Sequence, residues 1–291
     1  MAVSTGRRLI TFALVGSALA MAAACGAPTD ESSAASSSST GSTCEAATLP
    51  TVKAGTLTVA TDKPAYGPWF QDDDPANGKG YESAVAYAIA DKLGFAKEKV
   101  TWVVAPFNTV IAPGQKSFDF DLNQVSITDD RKKAVDFSSG YYDVRQTVVS
   151  FKGSKLDGKT TVADLKGAKL GAQVGTTSYA AATDQIKPDA KVAVYDSNDL
   201  AVQALKNRQI DGIVVDLPTA FYMTGAQLDD GVIVGQLPSA SSSPEQFGAV
   251  LDKGSKLTAC VTQAVDALRA DGTLTRLVDQ WLSTQGAPEL K

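Results

Sequence analysis

The sequence predicts an α/β protein of two lobes that face each other across a cleft. Three observations carry this expectation. Strand and helix patterns alternate through residues 55–128, they alternate again through 160–216, and two extended segments, TVVSF (147–151) and FGAVL (247–251), lie between the sets. Two crossings mean that the chain enters a second lobe and returns, so the first lobe is discontinuous and the last helices pack back onto it. The chain has 291 residues, 44% of them apolar, which is enough for two cores.

The first lobe opens with GTLTVATD (55–62), an alternation of β-formers that runs into a loop rich in Pro and Gly. YESAVAYAIADKLGF (81–95) places Val85, Ile89 and Leu93 at i, i+4 and i+8, an amphipathic helix stopped by Gly94. KVTWVVA (99–105) is a second strand, and FDFDLNQVSIT (118–128) contains a third. Strand, helix, strand in this order is a βαβ unit.

The second lobe begins near residue 160. TVADLKG is a short helix, AKLGAQV (168–174) a strand, and GTTSYAAATDQI opens a helix. KVAVYD is a strand, NDLAVQALKNRQ a helix capped by Ser197 or Asn198, and IDGIVVD (210–216) a strand. At the C-terminus, LTACVTQAVDALRADG puts Val261, Val265 and Leu268 on one face. TLTRLVDQWL then puts Leu274, Leu277, Val278, Trp281 and Leu282 at i, i+3, i+4, i+7 and i+8.

Ahead of the folded body, Arg7 and Arg8 precede the apolar residues 9–20 and MAAAC (21–25), the order of a secretory signal covering residues 1–24. The apolar run is too short for a comfortable transmembrane helix. AAAC resembles a bacterial lipobox, with Ala22 where leucine is usual, so Cys25 is expected to carry a lipid; ordinary signal cleavage nearby is the alternative. Residues 25–47 then form a Ser/Thr-rich tether, which suits a protein anchored on the outer face of the bacterial cell membrane.

The formal net charge is −5, and loss of the two signal arginines makes the mature chain more acidic still. That argues against nucleic acid or an anionic membrane as partner. Cys44 and Cys260 flank nearly the whole body and are expected to pair in an oxidising exterior, with two unpaired thiols as the alternative. The chain has no histidine, so the usual general base, triad member and zinc ligand are missing. This lowers the expectation of hydrolytic or metal-dependent catalysis.

The charge run VSITDDRKKAVDF (125–137) points to the site. Thr128 can cap a helix, and Asp129 and Asp130 suit its first turn. Arg131 does not suit that position unless an anion sits nearby, and its planar fork fits a carboxylate with two parallel hydrogen bonds. A solvated charge run is the plain alternative. SITDDRKKAVDFSSGYYD resembles a pattern of the bacterial extracellular solute-binding proteins, family 3, the polar amino-acid receptors of ABC importers. VATDKPAYGPWF, NGKGYESAVAYAIADKLG, ADLKGAKLGAQVGTTSY, DGIVVDLPTA and ALRADGTLTRLVDQWL agree with it in order, from about residue 50 to 285.

The resemblance implies a type II periplasmic-binding-protein fold with two hinge strands. Lobe 1 would comprise 48–148 and 248–291, and lobe 2 would comprise 149–247. It implies that Arg131 grips a ligand's α-carboxylate, helped by Thr176 and Thr177 where a strand runs into a helix. Asp216, at the end of an apolar strand, would pair with the α-ammonium. Gln124 and Ser126 would add polar contacts, Asp62 and Tyr66 would face the ligand side chain, and Trp69 and Phe107 would wall the pocket. For the threonines the alternative is helix capping, and for the aromatics core packing.

Tyr81, Ala84, Gln124 and PWF (68–70) depart from the pattern, all around the side-chain pocket. Gln124 and the walls suit an uncharged polar ligand such as glutamine. The resemblance implies a monomeric binding protein, not an enzyme, with no cofactor or metal, whose function is capture of a polar amino acid for an ABC permease. The rivals are an enzyme resembling cyclohexadienyl dehydratase and an amino-acid sensor.

Overall fold

A computed structural model of the chain describes residues 44–240, 244–282 and 286–291. The expected signal segment, the lipidation site Cys25 and residues 26–43 of the tether lie outside the described residues. The chain runs through β1 (Leu57–Thr61), α1 (Tyr81–Lys92), β2 (Val100–Val104), the one-turn α2 (Phe107–Ile111), β3 (Phe120–Asp121) and β4 (Val135–Val144). It continues through β5 (Gln146–Phe151), β6 (Leu170–Gln173), the short α3 (Thr177–Ala181), β7 (Ala193–Tyr195), α4 (Asn198–Lys206) and β8 (Gly212–Asp216). Then follow α5 (Leu217–Tyr222), β9 (Gly231–Gln236), β10 (Glu245–Asp252), α6 (Thr258–Ala270) and α7 (Thr273–Trp281).

These strands form two five-stranded sheets, in the orders β2-β1-β3-β10-β4 and β7-β6-β8-β5-β9. Each has a parallel half, built by strand–helix–strand crossovers, and an antiparallel half where the chain crosses or returns. The central strands β1 and β8 are apolar nearly throughout because both their faces are covered. On one face of the first sheet, α1, α6 and α7 close over Trp69, Phe70, Tyr81, Phe120 and Phe247. On the other, Ala60, Phe107, Val125 and Val250 pack beneath α2. The second sheet divides the same way, Val148 and Val214 to one cluster, Val149 and Ile213 to the other.

α1 starts where Gly80 takes φ +95°, and a Cβ there would meet the Trp69 carbonyl oxygen at 2.4 Å, so only glycine fits. α4 starts on Ser197, whose hydroxyl accepts from the N–H of Leu200. No helix among the described residues is long and apolar enough to cross a membrane. Cys44 and Cys260 form a disulfide.

The structure corrects three expected boundaries. Residues 147–151 and 247–251 are not spans between lobes; they lie inside β5 of the second sheet and β10 of the first. The chain instead changes sheet at Arg145 and between Gln236 and Glu245, because residues 147–151 pair with β8 and β9 and residues 247–251 pair, with a bulge at Ala249, with β4 and β3. The tail does not stay with lobe 1: Glu289 bridges to Gln236 of β9 and Leu290 is buried in a core of the second sheet. The tether ends before residue 44, since Cys44 is bonded to α6 and Ala46 and Leu49 pack on the first core.

Candidate functional site

The charge run at 125–137 divides as its chemistry requires. Asp129 and Asp130 point outward and pair with Lys132 and Lys133 at 3.3 and 2.7 Å. No full helix follows Thr128; Arg131–Lys133 is a single 3-10 turn, and Thr128 Oγ1 accepts from the Arg131 N–H. Arg131 alone turns inward and is 9% exposed. One guanidinium nitrogen donates to the Ser126 carbonyl at 2.7 Å, another to the Gly175 carbonyl at 2.9 Å, and the plane stacks 5.3 Å from the centre of the Phe107 ring. Ser126 follows β3 and Gly175 follows β6, so this one side chain ties the two sheets together.

Between the ends of the sheets lies a cavity of about 150 Å³, below the ~300–1,000 Å³ of drug-sized sites and suited to one small ligand. Arg131 and Ser126 line it from the first sheet, Thr176, Thr177 and Asp216 from the second. Ser126 Oγ lies 3.2 Å from Thr177 Oγ1 across the cleft. Thr176 is consumed locally: its hydroxyl donates to the Gln173 carbonyl and accepts from the Tyr179 N–H, which is capping. Asp216 ends β8 and accepts from Gln146 Nε2 at 2.8 Å. Burial first, and the neighbouring Glu245 carboxylate second, hold Asp216 well above the usual carboxylate range.

Asp62, Tyr66, Phe107 and Gln124 also line the cavity. Asp62 is pinned by the N–H groups of Lys63 and Phe107 at 2.7 and 3.1 Å. Tyr66 stacks on Tyr222 of α5 at 4.9 Å and donates to Gln124 Oε1 at 3.2 Å. Trp69 is not a wall. It is fully buried among Tyr81, Tyr142 and Phe247 in edge-to-face contacts, because the largest apolar ring gains most at the centre of the first core, and its neighbour Phe70 lines the cavity instead.

Sequence reasoning missed several cavity residues. Asp196, Asn198 and Asp199 enter from the turn that caps α4, and Thr219 enters from α5. Glu82, behind the cavity, was legible as an acid on the stripe of Val85, Ala86 and Ile89 at i, i+3, i+4 and i+7. It is fully buried and accepts from the N–H of Gln124 at 2.7 Å, from the Gln124 side-chain amide and from the Tyr141 hydroxyl. Burial pushes it up to about 7, against those hydrogen bonds.

Asp121 on β3 is stranger. It is fully buried, and neither carboxylate oxygen has a hydrogen-bond partner among the described residues. Burial, then Glu82 and Asp62, hold it well above its ordinary 3.8, with Lys116 opposing. Above 3.8 the unfolded chain gives up this proton while the folded chain keeps it, so stability falls as pH rises towards the folded value. Asp121→Val is therefore expected to stabilise the protein by about 1–3 kcal/mol at neutral pH, with a smaller gain at pH 4. Urea denaturation at both pH values checks this, and an equal effect at both would show that ionisation is not the cause.

Residues 57–284 match the family model of the bacterial extracellular solute-binding proteins, family 3. An L-arginine-binding protein of Pseudomonas aeruginosa is 30% identical over 239 residues, covering 78% of this chain and 90% of the relative. An L-cystine-binding protein of Escherichia coli is 33% identical over 236 residues, covering 78% of this chain and 82% of the relative. Among solved structures, an ancestral arginine-binding protein bound to arginine matches with a TM-score of 0.63 at 32% identity, covering 78% of this chain and 98% of that one. With two mixed sheets, two crossings and a cavity between them, the chain has the type II periplasmic-binding-protein fold and belongs to the bacterial extracellular solute-binding proteins, family 3.

Proposed function

We propose that this protein captures a cationic α-amino acid outside the cytoplasmic membrane and delivers it to an ABC importer. The observation that carries this reading is the charge of the cavity. Four aspartates line it, Asp62, Asp196, Asp199 and Asp216, against Arg131 and Lys63, and Lys63 is already paired with Asp73 at 3.3 Å. A ligand α-carboxylate takes Arg131 and Thr177, and its α-ammonium takes Asp216. Three aspartates then remain for the side chain, which favours a positive one. This departs from the glutamine expected above, because Asp196 was read only as the end of a strand and Asp199 only as part of a helix start. The relatives named for arginine support the choice.

The ligand touches both sheets only when they are drawn together, so it stabilises that state by its differential affinity, and the permease reads the result. A lipid on Cys25 and the Ser/Thr-rich residues 26–43 hold the protein at the outer face of the membrane. Nothing in this reading requires a bond to be broken in the cavity.

A thermal-shift panel of arginine, lysine, histidine, glutamine, cystine and glutamate tests it. Arginine or lysine at one hundred times its Kd raises stability by about 2.7 kcal/mol, and glutamate gives no shift. A shift with glutamate alone, or with none of the six, would sink the proposal.

A further inference from the structure

Glu82 lines no part of the cavity, yet it decides what one cavity residue offers. One of its oxygens accepts from the Gln124 N–H and the Tyr141 hydroxyl, the other from the Gln124 side-chain nitrogen. Gln124 is held at φ +49°, left-handed backbone that a non-glycine residue keeps only where its surroundings over-determine it. The far end of its amide, Oε1, accepts from Tyr66 at 3.2 Å, and the side chain lines the cavity.

We infer that Glu82 sets the side-chain selectivity of the site by fixing which end of the Gln124 amide the ligand meets. The inference rests on the amino-acid reading above. An ionised carboxylate can only accept hydrogen bonds, so it takes the amide NH2 and leaves the carbonyl oxygen for the cavity. With Asp62 and Asp199 this makes an acceptor-lined end, and a ligand side chain must bring donors, as a guanidinium or ammonium does. A protonated Glu82 has an O–H to donate, and the amide turns to accept it. The NH2 then faces the cavity, disfavours a cation and accommodates a carbonyl. Tyr66 follows either state, because a hydroxyl both donates and accepts. Glu82 is a positioning residue that acts through Gln124.

The groups facing Glu82 are Tyr141 from β4, Asp121 from β3, Tyr66 from the loop after β1, Asp216 from across the cleft and Tyr81 from its own helix. Glu82 is pushed up to about 7, Asp121 and Asp216 are also held well above the usual carboxylate range, and the chain has no histidine to titrate there; the Glu82→Gln and Tyr141→Phe variants separate Glu82 from Asp121. Asp216 is shared by every amino acid through the α-ammonium. The ratio of arginine to glutamine affinity cancels it and isolates the side-chain end.

The experiment is calorimetric titration of the purified protein with arginine and glutamine from pH 6 to 8.5, for wild type, Glu82→Gln and Tyr141→Phe. In wild type the ratio moves towards arginine as pH rises through about 7, by about tenfold, the equivalent of one pKa unit. In Glu82→Gln the ratio is flat with pH and shifted towards glutamine. In Tyr141→Phe the carboxylate loses a donor and the midpoint moves to higher pH. A pH-independent ratio in wild type, or a Glu82→Gln ratio equal to that of wild type at high pH, overturns the inference. If Glu82→Gln does not fold, the wild-type profile and the Tyr141→Phe midpoint still decide. A wild type that binds neither amino acid overturns the amino-acid reading itself.

Discussion

Arg131→Ala is expected to abolish ligand binding at working concentrations, weakening it by about 2–5 kcal/mol, the usual loss when one member of a buried, hydrogen-bonded charge pair is truncated. At about 1.4 kcal/mol per decade this is a rise in Kd of roughly 30-fold to several thousandfold. Two losses add. A bound α-carboxylate would forfeit a planar two-pronged donor in a site where Ser126 and Thr177 supply only neutral groups. The two sheets also forfeit the Arg131 bond to the Gly175 carbonyl, so the ligand must draw them together unaided.

Fold stability should hold, because Arg131 sits in an isolated 3-10 turn and its removal relieves the desolvation of a buried cation. Arg131→Lys should recover only part of the affinity. A point charge cannot bond Ser126 O, Gly175 O and a carboxylate in one plane, and it loses the stack on Phe107. Titration calorimetry with circular dichroism as the folding control decides this. An alanine variant that binds within threefold of wild type would remove Arg131 from the site.

The elements legible in the sequence were those whose own residues carry a period. α1, α6 and α7 showed apolar stripes, α4 showed a cap, and β1, β2, β7 and β8 showed runs of β-formers between turn residues. β3 was visible only as a strand somewhere within residues 118–128, and Gln124 takes a left-handed turn that no propensity announces and that bends the chain to deliver Ser126 and Arg131. β4 was not read as a strand: Ser138, Ser139 and Gly140 break its alternation, and the sheet tolerates them through irregular pairing with β10. The pairing of Glu289 with the second sheet had no local signal, because a single bridge far along the chain is set by tertiary packing alone.

The site divided along the same line. Arg131 was legible because a cation in that turn needs a reason, and Asp216 because a carboxylate ends an apolar strand. Trp69 and Phe70 were not separable. Adjacent aromatics in a loop have no period to say which faces the core, and the choice falls to the packing of Tyr81, Tyr142 and Phe247. Asp196 looked like an ordinary strand end and Asp199 like an ordinary helix-start residue, and only the approach of the two sheets turns them into a charged wall.

The second large effect is on stability and should leave binding untouched. The Cys44–Cys260 bond closes a loop of 216 residues, nearly all of the folded chain. Chain entropy alone assigns such a closure roughly 5 kcal/mol, and measured losses run about 2–4 kcal/mol because the unfolded chain is more compact than an ideal coil. Cys260 lies on the buried face of α6 among Val261 and Val265, while Cys44 fastens the segment carrying Ala46 and Leu49 onto that core. The double variant should therefore be Cys44→Ser with Cys260→Ala, since serine at 260 would bury a hydroxyl and confuse the result. Its melting temperature should fall by roughly 5–15 °C, at about 2–4 °C per kcal/mol for a chain of this size. Neither cysteine lines the cavity, so the Kd of the best ligand should stay within about twofold. A melting temperature within about 2 °C of wild type would mean that packing of residues 44–52, not the covalent link, holds the start of the chain. A large change in Kd would mean that the first core and the cleft are coupled in a way the separate clusters do not predict.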